Sequence, residues 1–291
     1  MKYVLPILVA YPYFSKYVRE ALASRDPDEF ILMVDSGAYT VWNSGGEVPM
    51  DDYIQFLRGL PSEWNFRAIQ LDAIAQPGKT RENYDLMREA GLDVIPVFTR
   101  GAPMEDRDYF YEHSDYIAVG GIADKQNRAY LRHLMQTNDG RKVHWLGYTD
   151  LKEIIHFRPA STDSSGITGS QRFGAIPYYV GRGKMKTLQR SVFSERPPDD
   201  FIAATRRRGF TMKEIHRLGE REAWRGAVRK PKDGPRGFAS FVAYTHHLAR
   251  NIEIERRTGT KMYLAFATEK DLMGAFYALD FMKERECLTT S

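Results

Sequence analysis

Residues 30–40 read Phe-Ile-Leu-Met-Val-Asp-Ser-Gly-Ala-Tyr-Thr, a run of apolar residues that stops at the carboxylate of Asp35. A short aliphatic run closed by Ser-Gly predicts a strand buried on both faces, with Asp35 at its C-terminal end. In parallel α/β proteins this end of the sheet carries the chemistry. Taken alone, however, Asp35 predicts a helix cap as readily as a functional site.

The bulk composition indicates an ordinary globular protein. The chain has 291 residues, enough for one large α/β domain or two smaller ones. Hydrophobic residues make up 43% and charged residues 27%, which is typical of a folded rather than a disordered chain. No apolar stretch approaches the roughly 20 residues that cross a bilayer, and the N-terminal residues do not predict a secretory signal. We therefore expect a cytoplasmic protein without a membrane segment.

The only cysteine, Cys287, excludes a disulfide framework and a Cys-rich zinc site within one chain. The histidines show no paired helical spacing suited to a metal. We therefore expect no metal and no cofactor.

Positive charge is concentrated in one region of the chain. Residues 181–236 hold sixteen Lys and Arg against seven Asp and Glu, whereas the whole chain has a net charge of only +4. The remainder is consequently acidic overall, and residues 181–237 are predicted to be a basic, mainly helical segment that binds nucleic acid.

The first two thirds of the chain alternate short apolar runs with helical patterns, as βα units of a parallel sheet do. Candidate strands lie at Tyr3 to Ala10, Phe30 to Val34, Arg67 to Leu71, Leu92 to Phe98, Tyr116 to Val119, Lys142 to Leu146, Ala160 to Thr162 and Ala175 to Val180. Candidate helices between them lie at Phe14 to Ser24, Met50 to Leu60, Arg81 to Ala90 and Lys125 to Gln136. Eight strands favour a (β/α)8 TIM-like barrel, and no Gly-x-Gly-x-x-Gly motif supports a dinucleotide-binding fold.

The barrel core with the active site is predicted to span residues 1–180. After the basic segment, residues 238–291 are predicted to complete the barrel domain with two helices and a strand, Met262 to Ala267. A further helix is predicted from Thr211 to Ala227, with Thr211 as its cap. The basic part is thus an insertion or a C-terminal subdomain.

Two more carboxylates share the placement of Asp35. Asp72 follows an apolar run that ends at Leu71, and Asp163 follows Ala160-Ser161-Thr162. In a barrel all three would face one bowl, where crowding raises carboxyl pKa values, so that one group can stay protonated as an acid while another is an ionised nucleophile. Gly120 and Gly121 end another strand, where they predict either exposed backbone beside a flat ligand or merely a tight turn.

In four motifs the chain resembles the tRNA-guanine transglycosylase superfamily, whose members carry an Asp-Ser-Gly-Gly-Phe/Tyr motif on a TIM barrel. The motifs are, in chain order, Asp35-Ser36-Gly37-Ala38-Tyr39, Leu71-Asp72, Val119-Gly120-Gly121 and Asp163-Ser164-Ser165. The short length and the stretch from Ser161 to Gly174 are more similar to the DNA-modifying branch, the 7-deazaguanine DNA transglycosylases of phages and bacteria. The resemblance covers roughly residues 30–180.

The resemblance implies that Asp163 is the nucleophile at C1′ of the target nucleoside. It implies that Asp35 is the general acid/base for the departing guanine and for the incoming base, a free 7-deazaguanine such as preQ0. An ionised carboxylate suits this chemistry because the attacked carbon gains oxocarbenium character. Substrate-binding roles are implied for Ser36, Gly37, Tyr39, Asp72, Gly120, Gly121 and Ser164.

Two departures from the family are visible. The tRNA enzymes hold a zinc ion with three cysteines and a histidine, which this chain cannot do. Where they place a base-reading glutamine after the fourth strand, this chain has Phe98-Thr99-Arg100.

An enzyme that acts on a base within a polymer must extrude that base and hold the backbone. The candidate nucleic-acid-binding residues are Arg172, Arg182, Lys184, Arg206, Arg207, Arg208, Lys213 and Arg217. Four basic residues spaced by four, Lys213, Arg217, Arg221 and Arg225, predict a stripe on one helix face. The alternative is a solvated face paired with neighbouring glutamates.

The leading hypothesis is that the protein exchanges guanine in DNA for a 7-deazaguanine. Three alternatives remain open: the same exchange on tRNA, a DNA-binding protein whose barrel has lost its chemistry, and a barrel hydrolase or lyase for small molecules. The sequence does not predict the oligomeric state.

Overall fold

The structure is a computed structural model that describes residues 3–122, 127–165, 174–193, 197–228, 231–234 and 236–287. Eleven strands are present in these residues. They are β1 (Leu5–Ala10), β2 (Phe30–Asp35), β3 (Arg67–Ile69), β4 (Val94–Ile95), β5 (Val97–Thr99), β6 (Tyr116–Gly120), β7 (Lys142–Trp145), β8 (Ser161–Ser164), β9 (Ala175–Gly181), β10 (Lys184–Gln189) and β11 (Lys261–Phe266).

Nine of these strands form one parallel sheet in the order β4-β3-β2-β1-β11-β8-β7-β6-β5. Its two ends, β4 and β5, are separated in sequence only by Pro96, and the Pro96 carbonyl accepts the N–H of Ala118 in β6 at 2.8 Å. The side chain of Gln70 accepts the N–H of Val97 at 2.9 Å. The sheet therefore nearly closes on itself, and the predicted TIM-like (β/α) barrel is confirmed.

Seven helices of the described chain alternate with the barrel strands. They are α1 (Lys16–Ala23), α2 (Ala38–Asn43), α3 (Met50–Arg58), α4 (Pro77–Glu89), α5 (Met104–His113), α6 (Arg128–Gln136) and α7 (Leu151–Phe157). Helices on the outside explain why every residue of β1 is buried, since a parallel strand is then covered on both faces.

The interior of the barrel is filled by side chains at alternate strand positions, as the two-residue period of a strand requires. The buried cluster consists of Leu8, Met33, Ile69, Ile95, Val97, Tyr116, Ala118 and Tyr263. Met33 lies two residues before Asp35 on β2, so the same alternation directs Asp35 to the interior face at the end of the strand.

The chain divides into two compact units. The barrel unit comprises Val4–Ser164 and Thr260–Ala267, and the second unit comprises Ser165–Gly259 and Thr268–Ser291 together with Met1–Tyr3. Ser165 and β9, which lie in the part of the chain predicted as the barrel core, therefore belong to the second unit. All three candidate carboxylates lie in the barrel unit.

The prediction that Ala175 to Val180 forms the eighth barrel strand is wrong. This segment is β9, which pairs antiparallel with β10 in a separate two-stranded sheet. Its place is taken by β11, which pairs in parallel with both β1 and β8. Both segments have strand-like apolar patterns, and only the long-range pairing distinguishes them.

The second unit contains β9, β10 and five helices within the described residues. These are α8 (Arg190–Phe193), α9 (Asp199–Arg206), α10 (Met212–His216), α11 (Phe238–Thr258) and α12 (Glu269–Glu284). In the part of the chain that the structure describes, no helix could cross a membrane, since none is both long and apolar enough.

The predicted helix from Thr211 to Ala227 is wrong beyond its first turns. Thr211 caps α10 as predicted, but the helix ends at His216 and is followed by short 3-10 segments, Arg217–Gly219 and Arg221–Trp224. The indole N–H of Trp224 donates to the carbonyl of Leu218 at 2.7 Å, which stabilises this turned path. The four basic residues spaced by four therefore do not share one helix face.

Candidate active site

Asp35 ends β2 beside Ala10 of β1, at the C-terminal ends of the barrel strands. Its Oδ2 accepts the N–H of Gly37 at 3.1 Å. Burial, followed by the negative charges of Asp72 and Asp163, raises the pKa of Asp35 from 3.8 to about 7. Asp35 can therefore release and accept a proton near neutral pH, as a general acid/base requires.

Asp72 follows β3 by three residues and lies close to Ser36. Its Oδ1 accepts a long hydrogen bond from Oγ of Ser36, at 3.5 Å. Burial raises the pKa of Asp72 to about 6. Ser36 itself is fully buried, and its Oγ also accepts the N–H of Ala38 at 3.3 Å. Ser36 therefore supports Asp72 and the start of α2 from a buried position. The sequence predicts it as a substrate-binding residue, and that role stays a prediction.

Asp163 lies on β8, where the register places it beside Tyr263 of β11. Its Oδ1 accepts the N–H of Gly147 at 2.7 Å and lies 3.3 Å from Nε2 of His144. The structure therefore gathers the three predicted carboxylates at one end of the barrel, close enough for two of them to shift the pKa of the third.

The two predicted glycines differ in what they permit. At Gly120 a Cβ would lie 3.5 Å or more from its nearest neighbours, an ordinary contact distance, so packing does not require a glycine there. Gly121 has a φ of +72°, and its carbonyl accepts the side-chain N–H of Asn127 at 2.7 Å. Gly121 therefore fits the tight-turn interpretation.

An aromatic pair lies on α2. Tyr39 is 63% exposed and Trp42 is 52% exposed, with their ring centroids 6.3 Å apart. Trp42 was not predicted as a site residue, although its position three residues after Tyr39 places both rings on one side of the helix. Ser164, another predicted site residue, ends β8 and is half-buried.

A cleft of about 290 Å³ opens beside Asp72. Its walls combine apolar side chains with five polar or charged ones, Glu47, Asp72, Gln76, Lys79 and Asn83, a lining that can hold a small molecule and fix its orientation. The residues that line it include Ala38, Trp42, Val48, Leu71, Asp72, Ile74, Asn83 and Leu86. The sequence did not predict this cleft, because its walls come from three separate segments.

The predicted nucleic-acid-binding residues that the structure describes all belong to the second unit. Five are exposed: Arg182, Lys184, Arg206, Arg207 and Lys213. Arg217 is half-buried, and Arg172 lies outside the described residues. The prediction for Arg208 is wrong, because this residue is only 6% exposed and its guanidinium lies 5.2 Å from the centroid of the Tyr179 ring.

A larger cleft, of about 540 Å³, lies within the second unit. Four basic side chains and two carboxylates line it, together with Thr211 and Phe281. The charged residues are Lys213, Arg217, Lys232, Arg285, Glu214 and Glu284. Glu214 accepts the backbone N–H of Thr211 and forms an ion pair with Arg285 at 3.3 Å. Of the other four charged side chains in the cleft, three are basic and only Glu284 is acidic.

No group of three or more His, Cys, Asp or Glu side chains that could hold a metal ion occurs among the described residues. The expectation that the protein works without a metal or cofactor stays a prediction.

Replacing Gly37 with Ala is expected to destabilise the barrel unit more than the same change at Gly45. Both glycines have a positive φ, which an alanine tolerates at about 1–2 kcal/mol. A Cβ at Gly37 would also lie 2.4 Å from Cδ of Pro12, whereas at Gly45 nothing lies within 4 Å. Overpacking should therefore cost Gly37→Ala about 1–3 kcal/mol more. Urea unfolding of both variants measures the difference, and equal losses would contradict the close contact.

Comparisons with models of protein families, with curated proteins and with solved structures found no match for this chain. What the protein does has to be inferred from its own residues.

Proposed function

We propose that the protein is a transglycosylase that exchanges guanine in DNA for a 7-deazaguanine base. The observation that carries the proposal is Asp35, a carboxyl with a pKa of about 7 that lies within electrostatic range of Asp163. A proton donor near its own pKa beside a second carboxylate is the pair that glycosidic chemistry needs.

In the proposed first step, a carboxylate oxygen of Asp163 attacks C1′ of the target nucleotide. The bond from C1′ to the base breaks, and the departing guanine takes the proton of Asp35. In the second step, the incoming base gives a proton to the Asp35 carboxylate and attacks C1′, and the ester bond to Asp163 breaks. Asp35 is protonated again, so the cycle consumes no other reagent.

The cleft beside Asp72 supports a flat base as ligand. The indole of Trp42, which is 52% exposed and lines the cleft, offers apolar surface to a flat ring. Guanine carries N–H donors on its Watson–Crick edge, and an ionised carboxylate accepts such bonds. We assign this recognition to Asp72.

The exchange is tested by incubating the full chain with duplex DNA, labelled guanine and preQ0, followed by nucleoside mass spectrometry of the DNA. We expect label and preQ0 to enter the DNA. A parallel reaction on tRNA decides between the two polymers, since preferential incorporation into tRNA would refute the choice of DNA. Salt-sensitive DNA binding without exchange of either base would favour the inactive DNA-binding alternative.

Charge reversal in the basic cleft is expected to weaken DNA binding. Lys213 and Lys232 are both exposed and line the cleft. Each phosphate contact that is lost should lower the slope of log affinity against log salt by about one. Lys213→Glu combined with Lys232→Glu should therefore lower that slope by about two, measured by anisotropy of a labelled duplex.

Lys152→Glu is the matched control, because Lys152 is exposed on α7 in the barrel unit. If the double variant and this control give the same salt dependence as the unchanged protein, the cleft does not bind the backbone.

A further inference from the structure

A buried polar cluster lies beneath Asp163 in the barrel. His144 is fully buried on β7, where the register places it beside Ser161 of β8. Nδ1 of His144 is hydrogen-bonded to Oγ of Ser161, and the same oxygen is hydrogen-bonded to the hydroxyl of Tyr116. Ser161 and Tyr116 are only 1% and 6% exposed. Three polar side chains from neighbouring strands therefore form a chain that leads to Asp163.

The order of donors in this cluster follows from what each group can give. An ionised Asp163 only accepts, so the atom that faces it, Nε2 of His144, should carry the proton. Nδ1 of a neutral imidazole then accepts from Ser161, whose oxygen accepts from Tyr116. One neutral tautomer orders the donors from Tyr116 through Ser161 to Nδ1 of His144 and places the remaining proton on Nε2, the nitrogen nearest Asp163.

The two carboxylate oxygens of Asp163 have different surroundings. Oδ1 receives the N–H of Gly147 at 2.7 Å and faces Nε2 of His144 at 3.3 Å. The imidazole N–H is not aligned for a full hydrogen bond, so this second contact is mainly electrostatic. Among the residues that the structure describes, none donates a hydrogen bond to Oδ2.

We propose that His144 is a positioning residue for Asp163. With Gly147 it fixes Oδ1 toward the barrel wall and leaves Oδ2 as the oxygen that attacks C1′. The ring of His144 is itself held by Ser161 and by an edge-to-face contact with Tyr263, with centroids 6.0 Å apart. This role rests on the proposed function, because it assigns the attacking atom of that reaction.

A nucleophile held in one orientation gains much of its rate from not having to find that orientation, and a displacement of about 1 Å can cost about 10²-fold. If His144 only filled the core, a substitution at residue 163 would not change which of its ring nitrogens carries the proton. The two roles are thus separable by spectroscopy as well as by kinetics.

The first test does not depend on activity. The full chain is labelled with ¹⁵N-histidine, and His144 is assigned from the spectrum of His144→Gln, with His156→Gln, an exposed position on α7, as the assignment control. We expect the Nε2–H tautomer, and a shift of the Nε2 resonance in Asp163→Ala that His156 does not show. The Nδ1–H tautomer, or an unmoved Nε2 resonance, would overturn the proposal.

The second test uses exchange kinetics. His144→Phe should lower kcat about 10²-fold with little change in KM for the free base, and His144→Gln, which keeps a donor, should recover most of the rate. Equal losses in both variants would contradict a positioning role.

Should His144→Phe fail to fold, Ser161→Ala takes its place. It removes the partner of Nδ1, so we expect a detectable fraction of the Nδ1–H tautomer and a lower kcat. Unchanged values of both would count against the proposal. If the unchanged protein shows no exchange at all, the proposed function fails. The tautomer measurement still shows whether Nε2 of His144 carries a proton toward Asp163.

Discussion

Asp163→Asn is expected to abolish base exchange, with incorporation of labelled guanine into duplex DNA falling by about 10³-fold or more. Asparagine matches the shape of the side chain, and its Oδ1 can still accept the N–H of Gly147. Its amide cannot form the ester with C1′, so the loss would report chemistry and not misfolding.

The covalent intermediate provides a second measurement on the same variant. The unchanged protein with DNA and no free base should give a protein–DNA adduct that survives denaturing electrophoresis, and Asp163→Asn should give none. Asp52→Asn, an exposed carboxylate in the first turn of α3, is the control and should behave as the unchanged protein. An adduct that persists in Asp163→Asn would show that another residue is the nucleophile.

The candidate carboxylates were predictable because their signal is local. Asp35 ends β2 and Asp163 is the last residue but one of β8, and a short strand that closes on a carboxylate can be recognised in about ten residues of sequence. The alternation of side chains along a strand then decides which face each one takes. The same local patterns predicted the barrel, since repeated βα units form a parallel sheet whatever the details of their loops.

The errors arose where distant segments decide the structure. The sequence does not say that β11, and not β9, pairs with β1, because both have strand-like apolar runs and their partners lie far away in the chain. It also does not say which arginine of a basic triplet turns inward. After α9 ends at Arg206, a turn at Gly209 with a φ of +87° accompanies the burial of Arg208.

The supporting contacts of the site were missed for a related reason. Gly147 acts through its backbone N–H, which no side-chain pattern reveals. His144 carried one weak signal, a polar residue within an otherwise buried strand segment, which also describes an ordinary core histidine. Only the pairing of β7 with β8 shows that it lies beside Ser161 and below Asp163.

Asp35→Asn is expected to slow formation of the covalent intermediate by about 10²–10⁴-fold and to remove its dependence on pH near neutrality. In the unchanged protein Asp35 must be protonated when guanine leaves. Since the pKa of Asp35 is raised to about 7, single-turnover adduct formation without a free base should fall as the pH rises through about 7. Rates measured from pH 5.5 to 8.5 test both expectations, and an inflection near pH 7 that Asp35→Asn retains would have to come from another group.

The stability of the same variant gives a check that needs no substrate. A carboxyl whose pKa is higher in the folded state stabilises the fold at low pH, and this contribution is lost as the pH rises through the folded pKa. Between pH 5 and 7 the loss for Asp35 amounts to about 2–3 kcal/mol. The free energy of unfolding of Asp35→Asn, minus that of the unchanged protein, should therefore rise by about 2–3 kcal/mol from pH 5 to pH 8. Asp52→Asn should show a constant difference, and a constant difference for Asp35→Asn as well would mean that Asp35 is already ionised at pH 5 and cannot serve as the acid.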